Sequence, residues 1–280
     1  MMPLPLFYVD DLIRRALAED ISYLDTTSDY MIAEDARDTA YLVAKADGVL
    51  CGLDVAMRVF ELLDDTFEKD VYLQDGAVVK KGDRIAQYTG YTRALLKGER
   101  TALNLLQHMS GIATATAEAV KLVEGTRAAI TDTRKTLPGM RSLQKYAVTV
   151  GGGKNHRFNL SDGAMLKDNH IDAAGGITNA VKMLRGKLGH MVKIEVETRN
   201  LDEVKEAVEV GADIIMLDNM SCEMMREAVA IVDGRALLEA SGGITASTLR
   251  AVAETGVDVI SIGALTHSVK AMDISMKMDV

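Results

Sequence analysis

VKIEVETRNLDEVKEAVEVGADIIMLD, residues 192–218, reads as a β-rich run (Val192–Val196), a helical pattern (LDEVKEAVEVG) and a second β-rich run (Asp213–Leu217). Strand, helix and strand over this length imply that the two strands run parallel, because the helical crossover returns the chain to the same edge of the sheet. The alternation continues on both sides. Short β-rich runs stand at Ala128–Asp132, Ala164–Leu166, Leu237–Ala240 and Val257–Ile262, mostly separated by helical patterns such as TASTLRAVAETG. Six strands, with an irregular stretch Leu137–Leu160 where a regular barrel carries another unit, predict an incomplete or distorted parallel α/β barrel.

Upstream the pattern changes. DDLIRRALAE, residues 10–19, places Leu12, Ile13, Ala16 and Leu17 at helical spacing with acids in front. Asp38–Leu50 partly alternates and carries an Asp47-Gly48 turn signal, and Gly52–Leu63 reads as a second helix. VYLQDGAVVKKGDRIAQYTG, residues 71–90, is split by Asp75-Gly76 and Gly82-Asp83, which predicts hairpins. These features describe an N-terminal α+β domain. In the run from Glu99, Leu103, Leu106 and Met109 recur at helical spacing, and Ser110-Gly111 reads as a break between two helices. The expected boundaries are therefore 1–110 for the first domain and 111–265 for the barrel.

The chain has 280 residues, 48% hydrophobic and 26% charged, enough for a large core in one domain or two. A formal net charge of -9 and no Trp argue against a nucleic-acid surface. No apolar run reaches bilayer length, and MMPLPLFYVDDLIRR lacks the basic start and apolar core of a signal peptide, so a cytoplasmic protein is expected. Cys51 and Cys222 are isolated and read as core thiols, and the sixteen Met residues as adaptable core filler.

Against this acidic background, Arg127–His170 carries eight Lys/Arg and three acids. Such a reversal of sign suggests a concave anion site, the alternative being a solvated basic loop. Catalytic groups of parallel barrels sit at the carboxyl ends of strands. Thr133-Arg134-Lys135, Lys167, Glu197, Asp218, Ser241-Gly242-Gly243 and Gly263 all follow predicted strands. Glu197 and Asp218 are placed to share Mg2+, or are solvated or salt-bridged acids. Ser241-Gly242-Gly243 and Gly263-Ala264, on the last two strands, match the usual phosphate position, or are tight turns. A lone His156 reads as structural, as do His108, His190 and His267, but the adjacent Arg157 turns the reading of His156 toward a ligand donor.

TDTRKTLPGMR, GGGKNHR, LKDNH, EVET, MLDN and SGGI, in this order and spacing, resemble the quinolinate phosphoribosyltransferase family over essentially the whole chain. The resemblance implies an N-terminal α/β domain, an open α/β barrel, and a tail, 266–280, that returns to the first domain. It implies quinolinate and 5-phosphoribosyl 1-pyrophosphate as substrates, Mg2+ as cofactor, and nicotinate mononucleotide, pyrophosphate and CO2 as products. Arg134, His156, Arg157 and Lys167 would then hold the dicarboxylate. Lys135, Lys167, Glu197 and Asp218 become the catalytic groups, and Thr133, Ser241, Gly242, Gly243 and Gly263 further substrate contacts. Arg100, in ERTALN, would reach the barrel mouth of a neighbouring subunit, making the protein a homodimer or an oligomer of dimers.

Two rivals stand beside this reading. A nicotinate or nicotinamide phosphoribosyltransferase of the same superfamily would need fewer fixed cations. A biotin-carrier module is suggested by Met276-Lys277-Met278 and QDGAVVKKGDRI, but its lysine must sit on a tight turn, and no second strand is expected after Val280.

Overall fold

A computed structural model describes residues 4–278, so the first three residues of the expected 1–110 domain and the last two of the tail lie outside it. The chain divides into two units. The first comprises the residues up to Ala117, Leu137–Gly152 and the tail from Thr266; the second comprises Glu118–Thr136 and Gly153–Leu265.

In the first unit, β1 (Arg37–Ala44), β2 (Gly48–Val49), β3 (Glu68–Val71), β4 (Val78–Val79) and β5 (Arg84–Tyr91) are joined by the C-terminal strand Ile274–Met278. The main sheet is antiparallel, in the order Ile274–Met278, β1, β5, β3. Alternation on β1 buries Ala40, Leu42 and Ala44. The helix Leu53–Glu61 buries Phe60, which stacks on Tyr88 of β5 at 4.8 Å between ring centroids. The Asp75-Gly76 turn does more than reverse the chain. The Asp75 carboxylate accepts from the amides of Gly52 (2.8 Å) and Leu53 (3.0 Å), capping that helix from a distant loop.

Several expectations need correction. The first helix runs from Leu6 to Asp20 and its first turn holds no acid. Cys51 is fully buried, whereas Cys222 is half-buried, and Met31, Met183 and Met191 are exposed rather than core filler. Lys277 lies within a strand opposite Tyr41, not on a turn, which removes the biotin-carrier reading.

Ser110-Gly111 does not break the chain, which forms one helix, Thr92–Leu122. The small residues serve close approach instead. The Ser110 hydroxyl bonds both the amide (3.0 Å) and the carbonyl (3.1 Å) of Cys51, and a Cβ on Gly111 would lie 2.3 Å from the Lys270 carbonyl oxygen. The helix thus carries residues 111–117 into the first unit, and Leu137–Gly152 joins them. Buried Gln144 ties those segments together through the Leu137 amide (2.8 Å), His108 (2.9 Å) and the Thr266 carbonyl (2.9 Å). Gly111→Ala should therefore destabilise. Helix propensity returns about 1 kcal/mol, but forcing a backbone carbonyl aside costs about 1–3 kcal/mol, and urea unfolding should show a net loss.

The second unit contains β6 (Ala129–Thr131), β7 (Ala164–Leu166), β8 (Ile194–Thr198), β9 (Ile214–Asp218), β10 (Leu237–Ser241) and β11 (Val259–Ser261), each within two residues of its predicted position at either end. Every pairing is parallel, in the order β6-β11-β10-β9-β8-β7. β6 and β7 stand at the two ends of the order and do not pair with each other, so the array is an incomplete barrel. Beside β6, Lys154 forms a single parallel bridge with Thr131. Helices such as Leu201–Glu209, capped by the Asn200 side chain, connect the strands. Among the described residues no helix is long and apolar enough to cross a membrane.

Candidate active site

The two-residue period of a strand determines what each face of the sheet presents. One face offers Ile130, Leu166, Val196, Ile215, Leu217, Leu238, Ala240 and Ile260, all buried. The other offers Met165, Glu195, Glu197, Met216, Asp218, Glu239, Ser241 and Ser261, and all of these except Glu195 line one cavity of about 580 Å³. Thr133, Arg134 and Lys135 enter it beyond β6, Lys167 beyond β7, Asn219 beyond β9, and Gly242 and Gly243 beyond β10. His156 and Arg157 enter from the segment after Gly153.

All predicted site residues line this cavity except two. Gly263 is not among its lining residues, and Arg100 is exposed in the first unit, at a groove of about 160 Å³ beside Glu19 and Asp20. Sequence reading passed over Met165, Glu195, Met216, Asn219, Glu239 and Ser261. For the two acids a signal existed: each interrupts an apolar strand at the position whose i+2 neighbour (Glu197 or Ser241) had been singled out.

Cations gather toward the unpaired edges of the array, on the loops after β6 and β7 and in the segment between them. Arg157 donates to the Gly163 carbonyl (2.9 Å) and contacts Met165 Sδ at 3.6 Å. Burial, and then the charge of Arg134, hold its guanidinium below its ordinary pKa. The Arg134 Nε is itself buried without a hydrogen-bond partner. Two mutually repelling guanidiniums, one with an idle buried donor, suit a multiply charged anion. Lys167 Nζ pairs with Glu197 Oε2 at 3.1 Å.

The central strands carry the other half of the site. Asp218 of β9 lies in register with Ser241 of β10, and Asp218 Oδ2 accepts from Asn219 Nδ2 at 2.8 Å. Gly242 (φ +94°) and Gly243 (φ +60°) occupy the left-handed region, and a Cβ on Gly242 would lie 2.3 Å from Asn219 Oδ1. Only bare backbone fits there. The turn leads into the helix Ala246–Ala253, whose N-terminal end favours an anion. Glu197 and Asp218 are hard oxygen donors on adjacent strands facing one cavity, a donor set suited to Mg2+ shared with phosphates.

His156 is not a free donor as its adjacency to Arg157 suggested. Its Nδ1 accepts the Arg157 amide at 2.7 Å, which leaves the ring proton on Nε2, facing Glu195 Oε2 (3.3 Å) and Glu239 Oε2 (3.5 Å). Burial alone would lower its pKa, but those carboxylates outweigh it and push the value up to about 10. Burial raises Glu195, and the proton belongs to the cluster rather than to one member.

Comparison with known proteins accords with this geometry. Residues 25–110 match the family description "Quinolinate phosphoribosyl transferase, N-terminal domain", and residues 112–277 its C-terminal counterpart. The chain is 46% identical over 265 residues to a protein of Bacillus subtilis (strain 168) named probable nicotinate-nucleotide pyrophosphorylase (carboxylating), covering 95% of this chain and 91% of that one. It is 43% identical, over 96% of each chain, to the nicotinate-nucleotide pyrophosphorylase (carboxylating) of Mycobacterium leprae (strain TN). The crystal structure of NadC from Streptococcus pyogenes superposes with a TM-score of 0.96 at 42% identity, covering 99% of this chain and 98% of that one. With both domain descriptions matched in order, and relatives this similar along nearly its whole length, the chain belongs to the quinolinate phosphoribosyl transferase family.

Proposed function

We propose that the protein transfers the phosphoribosyl group of 5-phosphoribosyl 1-pyrophosphate to quinolinate with loss of CO2, releasing nicotinate mononucleotide and pyrophosphate as a step of NAD biosynthesis. The observation that carries this reading is the division of one cavity into a guanidinium-rich part with an unpartnered Arg134 Nε and a part holding Glu197, Asp218 and the bare Gly242-Gly243 turn. A rigid aromatic diacid suits the first, and a phosphorylated sugar bearing pyrophosphate suits the second.

Rupture of the bond from ribose C1 to pyrophosphate develops positive charge on the sugar and negative charge on the departing oxygens. Lys135 would stabilise the latter and Glu197 the former. Glu197 and Asp218 would hold Mg2+, which when bound neutralises pyrophosphate charge. Arg134, Arg157 and Lys167 would orient quinolinate so that its ring nitrogen faces C1. CO2 then departs from the carbon beside the quaternised nitrogen, whose positive charge stabilises the electron pair left on that carbon until the carbon takes up a proton. We further propose that the protein acts as a homodimer in which Arg100 serves a neighbouring site, supported by its exposed position and the ERTALN resemblance. A cytoplasmic location is supported by the unpaired cysteines.

Incubation with Mg2+, phosphoribosyl pyrophosphate and either quinolinate or nicotinate tests the reaction. Nicotinate mononucleotide with release of CO2 is expected from quinolinate alone, and product from nicotinate alone would transfer the protein to the rival activity. Arg157→Ala is expected to raise the KM for quinolinate about 10- to 150-fold, since a charged hydrogen bond is worth about 1.5–3 kcal/mol. Equal weakening of both substrates would refute its assignment to the diacid.

A further inference from the structure

Burying a carboxylate in a parallel strand is costly unless a partner meets it. Glu195 on β8 and Glu239 on β10 have side chains only 5% and 4% exposed, and both converge on His156 Nε2 across the intervening β9. The imidazole they hold is itself a connector. Its Nδ1 accepts the Arg157 amide at 2.7 Å, while the His156 amide donates to buried Asp132 Oδ1 at 2.9 Å. The guanidinium that follows is tethered to Gly163 and Met165 beside β7. His156-Arg157 is thus fixed from the β6, β7, β8 and β10 sides. The acids act at the far end of that chain of contacts.

We propose that Glu239, acting with Glu195, is a positioning residue for the diacid half of the site: it anchors the His156 ring, and through the ring the backbone that aims Arg157. The proposal rests on the reaction assigned above. Its physical basis is preorganisation, since an arginine fork binds a carboxylate well only when held within a fraction of an ångström of the productive geometry. Tightness toward quinolinate is then governed partly by a side chain two bonding steps removed from Arg157. Affinity for phosphoribosyl pyrophosphate, centred on Glu197, Asp218 and Gly242-Gly243, is not.

Glu239→Ala and Glu239→Gln test this directly. The glutamine carbonyl oxygen can still accept from Nε2, so Glu239→Gln should stay within about three-fold of wild type, whereas Glu239→Ala should raise the KM for quinolinate about 10-fold and that for phosphoribosyl pyrophosphate less than two-fold. Combined with His156→Ala, Glu239→Ala should add little, because the connector is already gone. The imidazole 15N resonances of His156 provide a readout independent of turnover: they should move in Glu239→Ala and return in Glu239→Gln. Equal rises in both KM values, additive losses in the double variant, or unmoved imidazole resonances would each overturn the proposal. A wild-type protein inactive on quinolinate, with the resonances behaving as expected, would overturn the reaction and leave the anchoring of His156 standing.

Discussion

Chelation of divalent cations by EDTA is expected to abolish formation of nicotinate mononucleotide from quinolinate and phosphoribosyl pyrophosphate, and added Mg2+ to restore it. The argument is one of sign. Glu197 and Asp218 face the same cavity as the Gly242-Gly243 turn, so without a cation they stand opposite the incoming phosphates. One like-charge pair 4 Å apart in partly screened surroundings repels by about 4 kcal/mol, roughly a thousand-fold in affinity. Lys167 cannot offset both acids: its Nζ pairs with Glu197, and it is half exposed. Glu197→Gln should cut Mg2+-dependent turnover by about 100-fold or more, comparable to loss of a preorganised electrostatic group. The Tm should barely change, because an exposed ion pair contributes only about 0–1 kcal/mol. Full turnover in metal-free buffer would remove the metal assignment, and loss of folded protein in Glu197→Gln would reclassify that acid as structural.

Restoration of activity by mixing two inactive chains is the second large effect. Arg100→Ala and Lys135→Ala are each expected to be inactive when purified separately. Arg100 is exposed on the helix Thr92–Leu122 of the first unit, whereas Lys135 lines the cavity of the second. If Arg100 completes the site of a neighbouring subunit, a hybrid dimer has one site with both lesions and one with neither. Random pairing after unfolding and joint reassembly makes half the dimers hybrid, so about a quarter of wild-type sites should return, by the arithmetic of a two-fold assembly. Hybrids that form, as verified by differential mass tags, yet recover no activity would confine Arg100 to its own subunit's site or exclude it from any.

Much of this architecture is legible in the chain itself. Short β-rich runs separated by helical patterns located the six strands of the parallel sheet to within two residues, because β-branched and apolar residues gather where a strand is buried between helical crossovers. Residue type and strand-end position likewise singled out Arg134, Lys135, Lys167, Glu197, Asp218 and Gly242, which lie at or just beyond the carboxyl ends of those strands and line the cavity. Local signals misled where distant contacts govern. Ser110-Gly111 looks like a helix break but exists so that Cys51 and Lys270 can approach one helix closely, a requirement set by segments about 60 and 160 residues away.

Which groups of the site are free to act was decided only by tertiary structure. In sequence, His156 beside Arg157 looks like a spare donor. In the fold its Nδ1 accepts the Arg157 amide and its Nε2 faces Glu195 and Glu239 from strands 39 and 83 residues downstream. The sequence alone determined which residue types stand at each strand end, because that depends on spacing within a few residues. Which of them are already engaged depends on the order in which the strands lie side by side, and that order brings β8 and β10 against a loop that precedes both.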